Sequence, residues 1–199
     1  MKKHRYFFVI FIVVFMLSSL TVPGCGIVNK QDNYSQKTGI NSSISTREKE
    51  LTAKDAFKFA QDKGKNWASD SVFVSIHNYA GTKNQDGKAD IWIAKFYSRA
   101  RKKVLKITIS ENGSKISTDE VPMHSTVKAV KGNWINSDQA MKIAISRYED
   151  KEFEDCWMSL LQGENVPEWN IKFRRKDKEP FWVEIDATTG KLIKTRTGY

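Results

Sequence analysis

The chain has 199 residues, of which 40% are apolar and 28% charged, with a formal net charge of +10. That balance fits one or two small globular domains and excludes a wholly disordered chain. The excess of base favours anionic partners: lipid headgroups, acidic wall polymers or nucleic acid.

Lys2, Lys3 and Arg5 make the N-terminus positive, and Tyr6 to Leu17 is an unbroken apolar run of twelve residues. These are the two leading parts of a secretory signal peptide. Ser18-Ser19-Leu20-Thr21-Val22-Pro23-Gly24-Cys25 follows. It resembles a lipobox, the processing site of bacterial lipoproteins, with aliphatic Val22 three residues before the cysteine and small Gly24 directly before it. The resemblance implies removal of residues 1–24, a diacylglyceryl thioether on Cys25 and acylation of the new terminus. Two alternatives stay open: an uncleaved anchor and ordinary cleavage with release. The apolar stretch is short of the ~20 residues a membrane span needs, whereas two or three acyl chains anchor stably.

The expected location is therefore the extracytoplasmic face of the cell membrane, which makes nucleic acid an improbable partner. Loss of residues 1–24 removes three positive charges and leaves +7. Cys156 is the only other cysteine, so lipidation of Cys25 leaves no internal disulfide to form.

From Gly26 to Glu48 the chain is rich in Asn, Gln, Ser, Thr and Gly, with Tyr34 its single aromatic. Such a segment cannot bury enough to fold alone. Residues 25–48 read as a lipidated cysteine and flexible tether with a reach of about 25–30 Å.

The rest of the chain repeats itself. Leu51 to Ala60 aligns with Ile135 to Ala144 at an offset of 84, and Val72 to Ile76 with Cys156 to Leu160 at the same offset. The offset then falls to 77, where Trp92-Ile-Ala-Lys-Phe96 meets Trp169-Asn-Ile-Lys-Phe173. The first copy thus carries seven extra residues within the Gly-, Asn- and Asp-rich stretch Asn78 to Asp90, a loop by composition. Each copy reads as a helix followed by three or four strands. Thr52 with Asp55 caps the first helix, with Leu51 as a staple, and Asn136 or Ser137 caps the second. Val72, Val74 and Ile76 alternate with Ser71, Ser75 and His77, a period-2 strand with its apolar side inward. Phe181 to Asp186 is another strand, turned by Ala187 to Gly190 into Lys191 to Lys194. The expected class is α+β: two tandem repeats, residues 49–131 and 132–199, each a helix packed on a small antiparallel sheet.

The capped helix with Ala at every fourth position, the Trp-x-x-x-Phe strand and Val183-Glu-Ile-Asp-Ala-Thr-Thr-Gly-Lys-Leu-Ile193 resemble the PepSY (peptidase propeptide and YPEB-type) domain. The second copy carries the resemblance. The first is divergent, with Ser110 where the second has Asp186. The resemblance implies a module of peptidase propeptides and cell-surface proteins that regulates peptidases or mediates other extracellular contacts, without catalytic residues of its own.

Candidate chemistry is sparse. His77 and His124 lack metal-ligand spacing, and no cysteine cluster exists, so neither metal nor cofactor is expected. In Thr82 to Asp90, Ile93 falls where a calcium loop needs a bidentate Glu. Cys156, aligned with Val72, reads as a core residue, as do Trp92 and Trp169 at matched positions. Two basic clusters stand out: Arg99, Arg101, Lys102 and Lys103 in the first copy, and Arg174, Arg175, Lys176 and Lys178 in the second. As candidate anionic contacts they would gain roughly 1 kcal/mol per charge near an anionic surface; as solvated hairpin turns they would do nothing. The expected function is a membrane-anchored binding or regulatory module, possible partners being a secreted or membrane peptidase. The alternative is a binder of anionic wall polymer or headgroups through these loops.

Overall fold

The computed structural model describes residues 50–79, 85–123, 127–150 and 152–198. The signal peptide, Cys25, the tether and His124 lie outside the described residues.

Helix α1 spans Ala53–Trp67 and α2 spans Ser137–Arg147. Both start where the sequence places a cap. The Thr52 hydroxyl accepts from the Asp55 amide at 3.3 Å and donates to Asp55 Oδ2 at 2.7 Å. Asn136 forms a reciprocal capping box with Gln139. The two caps also meet each other. The Ala53 amide donates to Ser137 Oγ at 2.9 Å, and the Lys54 amide to Asn136 Oδ1 at 3.0 Å. Donors that a helix start leaves orphaned are thereby satisfied by the other helix's cap.

The strands are β1 (Leu51–Thr52), β2 (Val72–Asn78), β3 (Lys88–Ala89), β4 (Trp92–Ser98), β5 (Lys103–Ser110), β6 (Lys115–Pro122), β7 (Asp155–Gln162), β8 (Pro167–Arg174), β9 (Phe181–Asp186) and β10 (Leu192–Thr197). β1 and β3 form a short ribbon. The other eight make one antiparallel sheet in the order β10-β9-β8-β7-β2-β4-β5-β6. The sequence predicts two small sheets; the structure has one large one. The reason lies at the edges of β2 and β7. Each alone would expose a row of unpaired backbone groups beside an apolar face, and each covers the other.

That seam has only three backbone pairs, Ser75–Leu161, Ile76–Leu160 and His77–Ser159. It is extended by a side chain. Fully buried Asn78 donates through Nδ2 to the Cys156 carbonyl at 3.0 Å and accepts the Met158 amide at 2.7 Å. Beyond the other end of the seam, the Val130 amide donates to the Phe73 carbonyl at 2.9 Å.

One contiguous core lies between the helices and the sheet. Trp92, Trp169 and Phe173 are fully buried in it, and Trp134 bridges Phe57 and Phe73 to Trp169. The indole N–H of Trp92 donates to the Leu51 carbonyl at 2.8 Å, and that of Trp169 to the Ile135 carbonyl at 2.9 Å. Cys156 is buried as expected, and burial raises its thiol pKa well above the usual range. Val72 departs from expectation. It is 40% exposed, because a bulge between Phe73 and Ser75 inserts one residue and flips the phase before it. Phe73 takes the inward place instead and packs on Phe57 and Phe96.

The turn after β9 is built by Asp186. Its Oδ1 accepts from the Thr188 and Thr189 amides at 2.7 and 3.2 Å, and its Oδ2 from the Thr189 hydroxyl at 2.7 Å. Gly190 closes the turn at φ +75°, where a side chain would be strained.

Candidate binding surface

Both helices cover one face of the sheet, so the other face carries the surface chemistry. Alternation sends Ser75 and His77 of β2, Lys95 of β4, Lys106 of β5, Trp157 and Ser159 of β7, Lys172 of β8 and Trp182 of β9 to that face. The register lays Lys106, Lys95 and Ser75 side by side, with His77 opposite Ser159 and Lys172 between Trp157 and Trp182. Trp157 packs edge-on against Trp182 with ring centroids 6.2 Å apart. Trp182 has Lys172 Nζ at 5.0 Å and Arg196 Cζ at 4.3 Å from its ring.

A groove of about 620 Å³ runs over the β2–β7 seam. β2 and β7 supply its floor, and Met123, Val127 and Lys128, from the segment that leads to α2, line it as well. His77 sits in it half-buried. Burial, reinforced by Lys95 and Lys106, pushes its pKa down to about 4, so its imidazole is neutral at pH 7. Burial and Lys106 also lower the pKa of Lys95. Serine hydroxyls, an imidazole and two ammonium groups in a hollow with apolar walls can hold a ligand by hydrogen bonds and contact.

The basic clusters lie elsewhere. Arg99, Arg101 and Lys102 occupy the β4–β5 hairpin with Lys103 at the start of β5; Arg174 ends β8, and Arg175, Lys176 and Lys178 follow in the β8–β9 hairpin. Because β4 and β8 run antiparallel through the sheet, these hairpins sit at opposite ends of the strands, about 25 Å apart for eight residues.

Most of their charge is also spent within the fold. Arg101 and Lys103 reach Glu120 at 3.5 and 3.0 Å. Arg174 pairs with Glu154 and Asp155, and Arg175 and Lys178 share Asp150 at 2.9 and 3.2 Å. The Trp67 indole N–H and Lys103 lower the pKa of Glu120, and Arg175 and Lys178 lower that of Asp150. Arg99, Lys102 and Lys176 are exposed and have no acid partner among the described residues. The sequence offers no local signal for these acids, which lie 17 to 28 positions away. Among the described residues no group of His, Cys, Asp and Glu is placed to hold a metal, and no helix is long and apolar enough to cross a membrane.

Comparison with known proteins bears on the half that carries α2. Residues 135–196 match the family described as peptidase propeptide and YPEB domain. The family so matched is the PepSY domain. The match begins at the residue whose carbonyl receives the Trp169 indole and ends in β10, so it covers α2 with its four strands. No curated protein matches the chain. A solved structure, that of a candidate lipoprotein from Clostridium difficile 630, shares the fold with a TM-score of 0.55 at 17% identity, over 74% of this chain and 93% of that one.

Proposed function

We propose that this chain is an extracytoplasmic lipoprotein, held to the cell membrane through Cys25, whose folded part is a binding module that regulates a secreted or membrane peptidase. The folded part comprises two PepSY-like units, residues 49–131 and 132–199, fused through the β2–β7 seam. The observation that carries the reading is the PepSY match at residues 135–196, set in a sheet whose other face carries no helix among the described residues. Several features support reading residues 49–131 as a further such unit. The strand order is the same outward from the seam on both sides, β2-β4-β5-β6 and β7-β8-β9-β10. The tryptophan at or near the start of each second strand, Trp92 in β4 and Trp169 in β8, donates to the carbonyl just before its own unit's helix cap. The solved lipoprotein fold lends the anchored reading a precedent of shape.

The separation of the basic hairpins, and the internal pairing of five of their eight cations, weigh against polyanion binding as the main role. Pull-down with the full-length chain from a membrane extract tests the reading. A protein partner retained at moderate salt is expected, and binding confined to polymer and lost with salt would overturn it. Mass spectrometry of the mature N-terminus tests the anchor: an acylated Cys25 is expected, and an unmodified Cys25 within an intact chain refutes it.

A further inference from the structure

The groove over the β2–β7 seam is supplied with hydrogen-bond donors and, among the described residues, is lined by no carboxylate. Lys95 is half-buried and has no carboxylate partner among the described residues; its cross-strand neighbour is Lys106, a second cation, which itself reaches Asp119 at 3.5 Å. The Ser75 and Ser159 hydroxyls line the same space without a protein partner among the described residues, although Ser159 is only 4% exposed. A partly desolvated ammonium without a counter-charge is costly, and a bound anion offsets that cost. Beside His77, Gln162 and Lys128, whose ammonium reaches the Gly163 carbonyl at 3.4 Å, the remaining lining is apolar: Val74, Val104, Met123, Val127, Trp157 and Leu161. A small hydrated ion would leave those groups uncovered. The polar groups are also spread along the floor: Ser159 opposite His77 at one end, Ser75 and Lys95 next along the strands, and Gln162 beyond them. A fatty acid is polar at one end only; a peptide presents an amide at every residue.

We propose that this groove binds the C-terminal end of a peptide. The terminal carboxylate accepts from Lys95 Nζ and the Ser75 hydroxyl, the preceding amide bonds to Ser159, and the last apolar side chains pack against Trp157, Met123 and Val127. The volume of about 620 Å³ lies within the range of ligand pockets, ~300–1,000 Å³. This inference rests on the reading of the module as a binder of proteins, and names what the open face would take: a free chain end, such as a peptidase leaves.

The test is calorimetric titration of the full-length chain with N-acetylated tetrapeptides ending in two apolar residues, as free acids and as C-terminal amides. The free acids should bind and the amides should bind about tenfold more weakly, for the loss of a charge-assisted bond. Lys95→Met should weaken the free acid by a similar factor, and Lys95→Arg should retain it, with thermal melts showing all three chains folded. Equal binding of acid and amide overturns the proposal. So does unchanged binding by a folded Lys95→Met, or binding of laurate or inorganic phosphate where no peptide binds. Retention of an extract protein by wild type and Lys95→Met alike, with no peptide bound, would remove this inference and leave the regulatory reading standing. Peptide binding without any retained protein would do the reverse.

Discussion

Replacing Gly64 by Ala sets two effects against each other. Gly64 lies inside α1, where Ala is ordinarily better by about 1 kcal/mol. Propensity alone therefore marks the change as stabilising. The structure reverses the sign. A Cβ at Gly64 would stand 2.5 Å from Cδ1 and Cε1 of Phe96 and 2.7 Å from its Cγ, whereas carbon atoms rest about 3.5–4.0 Å apart. The ring would have to retreat by roughly 1 Å. It has little room, since Phe96 is 3% exposed and its centroid is 5.7 Å from that of Phe73 and 6.2 Å from that of Phe57. Overpacking of this kind costs about 1–3 kcal/mol, so Gly64→Ala should lower stability by up to about 2 kcal/mol net. In a Phe96→Ala background the clash is gone, and the same change should stabilise by up to about 1 kcal/mol. Urea unfolding of the four chains at constant m reads the full cycle. A stabilising Gly64→Ala in the wild-type chain, or the same sign in both backgrounds, would refute the reasoning.

Trp92→Phe and Trp169→Phe should each cost about 2–4 kcal/mol, combining a lost indole hydrogen bond with lost core volume. Their unfolding midpoints should fall by similar amounts; a loss in one alone would show that the two indoles do not play matched roles. His77 contributes a pH dependence with a definite sign. Its folded pKa, about 4, is below the ordinary value of 6.5, so between these values the unfolded chain binds a proton that the folded chain refuses. Stability should therefore be full above about pH 6.5, fall as pH drops toward 4, and lose about 1–2 kcal/mol after allowance for solvent screening. His77→Gln should flatten that part of the stability profile, and an unchanged slope would move the effect to other groups. Asp186→Ala removes three hydrogen bonds within one turn and should cost about 1 kcal/mol; amide exchange should quicken at Thr188 and Thr189, and an unaltered exchange rate there would contradict the assigned role.

What could be read in the sequence was local. The caps at Thr52 and Asn136, the turn from Asp186 to Gly190 and the burial of Trp92, Trp169 and Cys156 depend on a few adjacent residues or on simple alternation. What escaped depends on residues far apart in the chain. The bulge that turns Val72 outward changes the phase of β2 by a single residue, and nothing in Val72-Phe-Val-Ser-Ile76 marks where it falls. The joining of β2 to β7 leaves no signature in either strand, so two sheets were expected where one exists. The basic clusters were visible as composition, but their placement at opposite ends of the sheet follows from strand direction across the seam. The groove was invisible for the same reason: Lys95, Ser75 and Ser159 become neighbours only once β4, β2 and β7 are adjacent.

The pairing of β2 with β7 has a further consequence. Ile76 faces Leu160, and these are equivalent positions at the offset of 84; Ser75 faces Leu161 while His77 faces Ser159, and exchanging the two strands leaves that register unchanged. This is the contact geometry of an isologous dimer, realised within one polypeptide. A chain carrying a single unit of this kind would have to meet a second copy to cover the same edge, and its folding would then depend on concentration. Carrying both strands in one chain removes that dependence. The two sides of the seam can then also differ: one holds Lys95 while the matching position at the offset of 77 holds Lys172 beside two tryptophans.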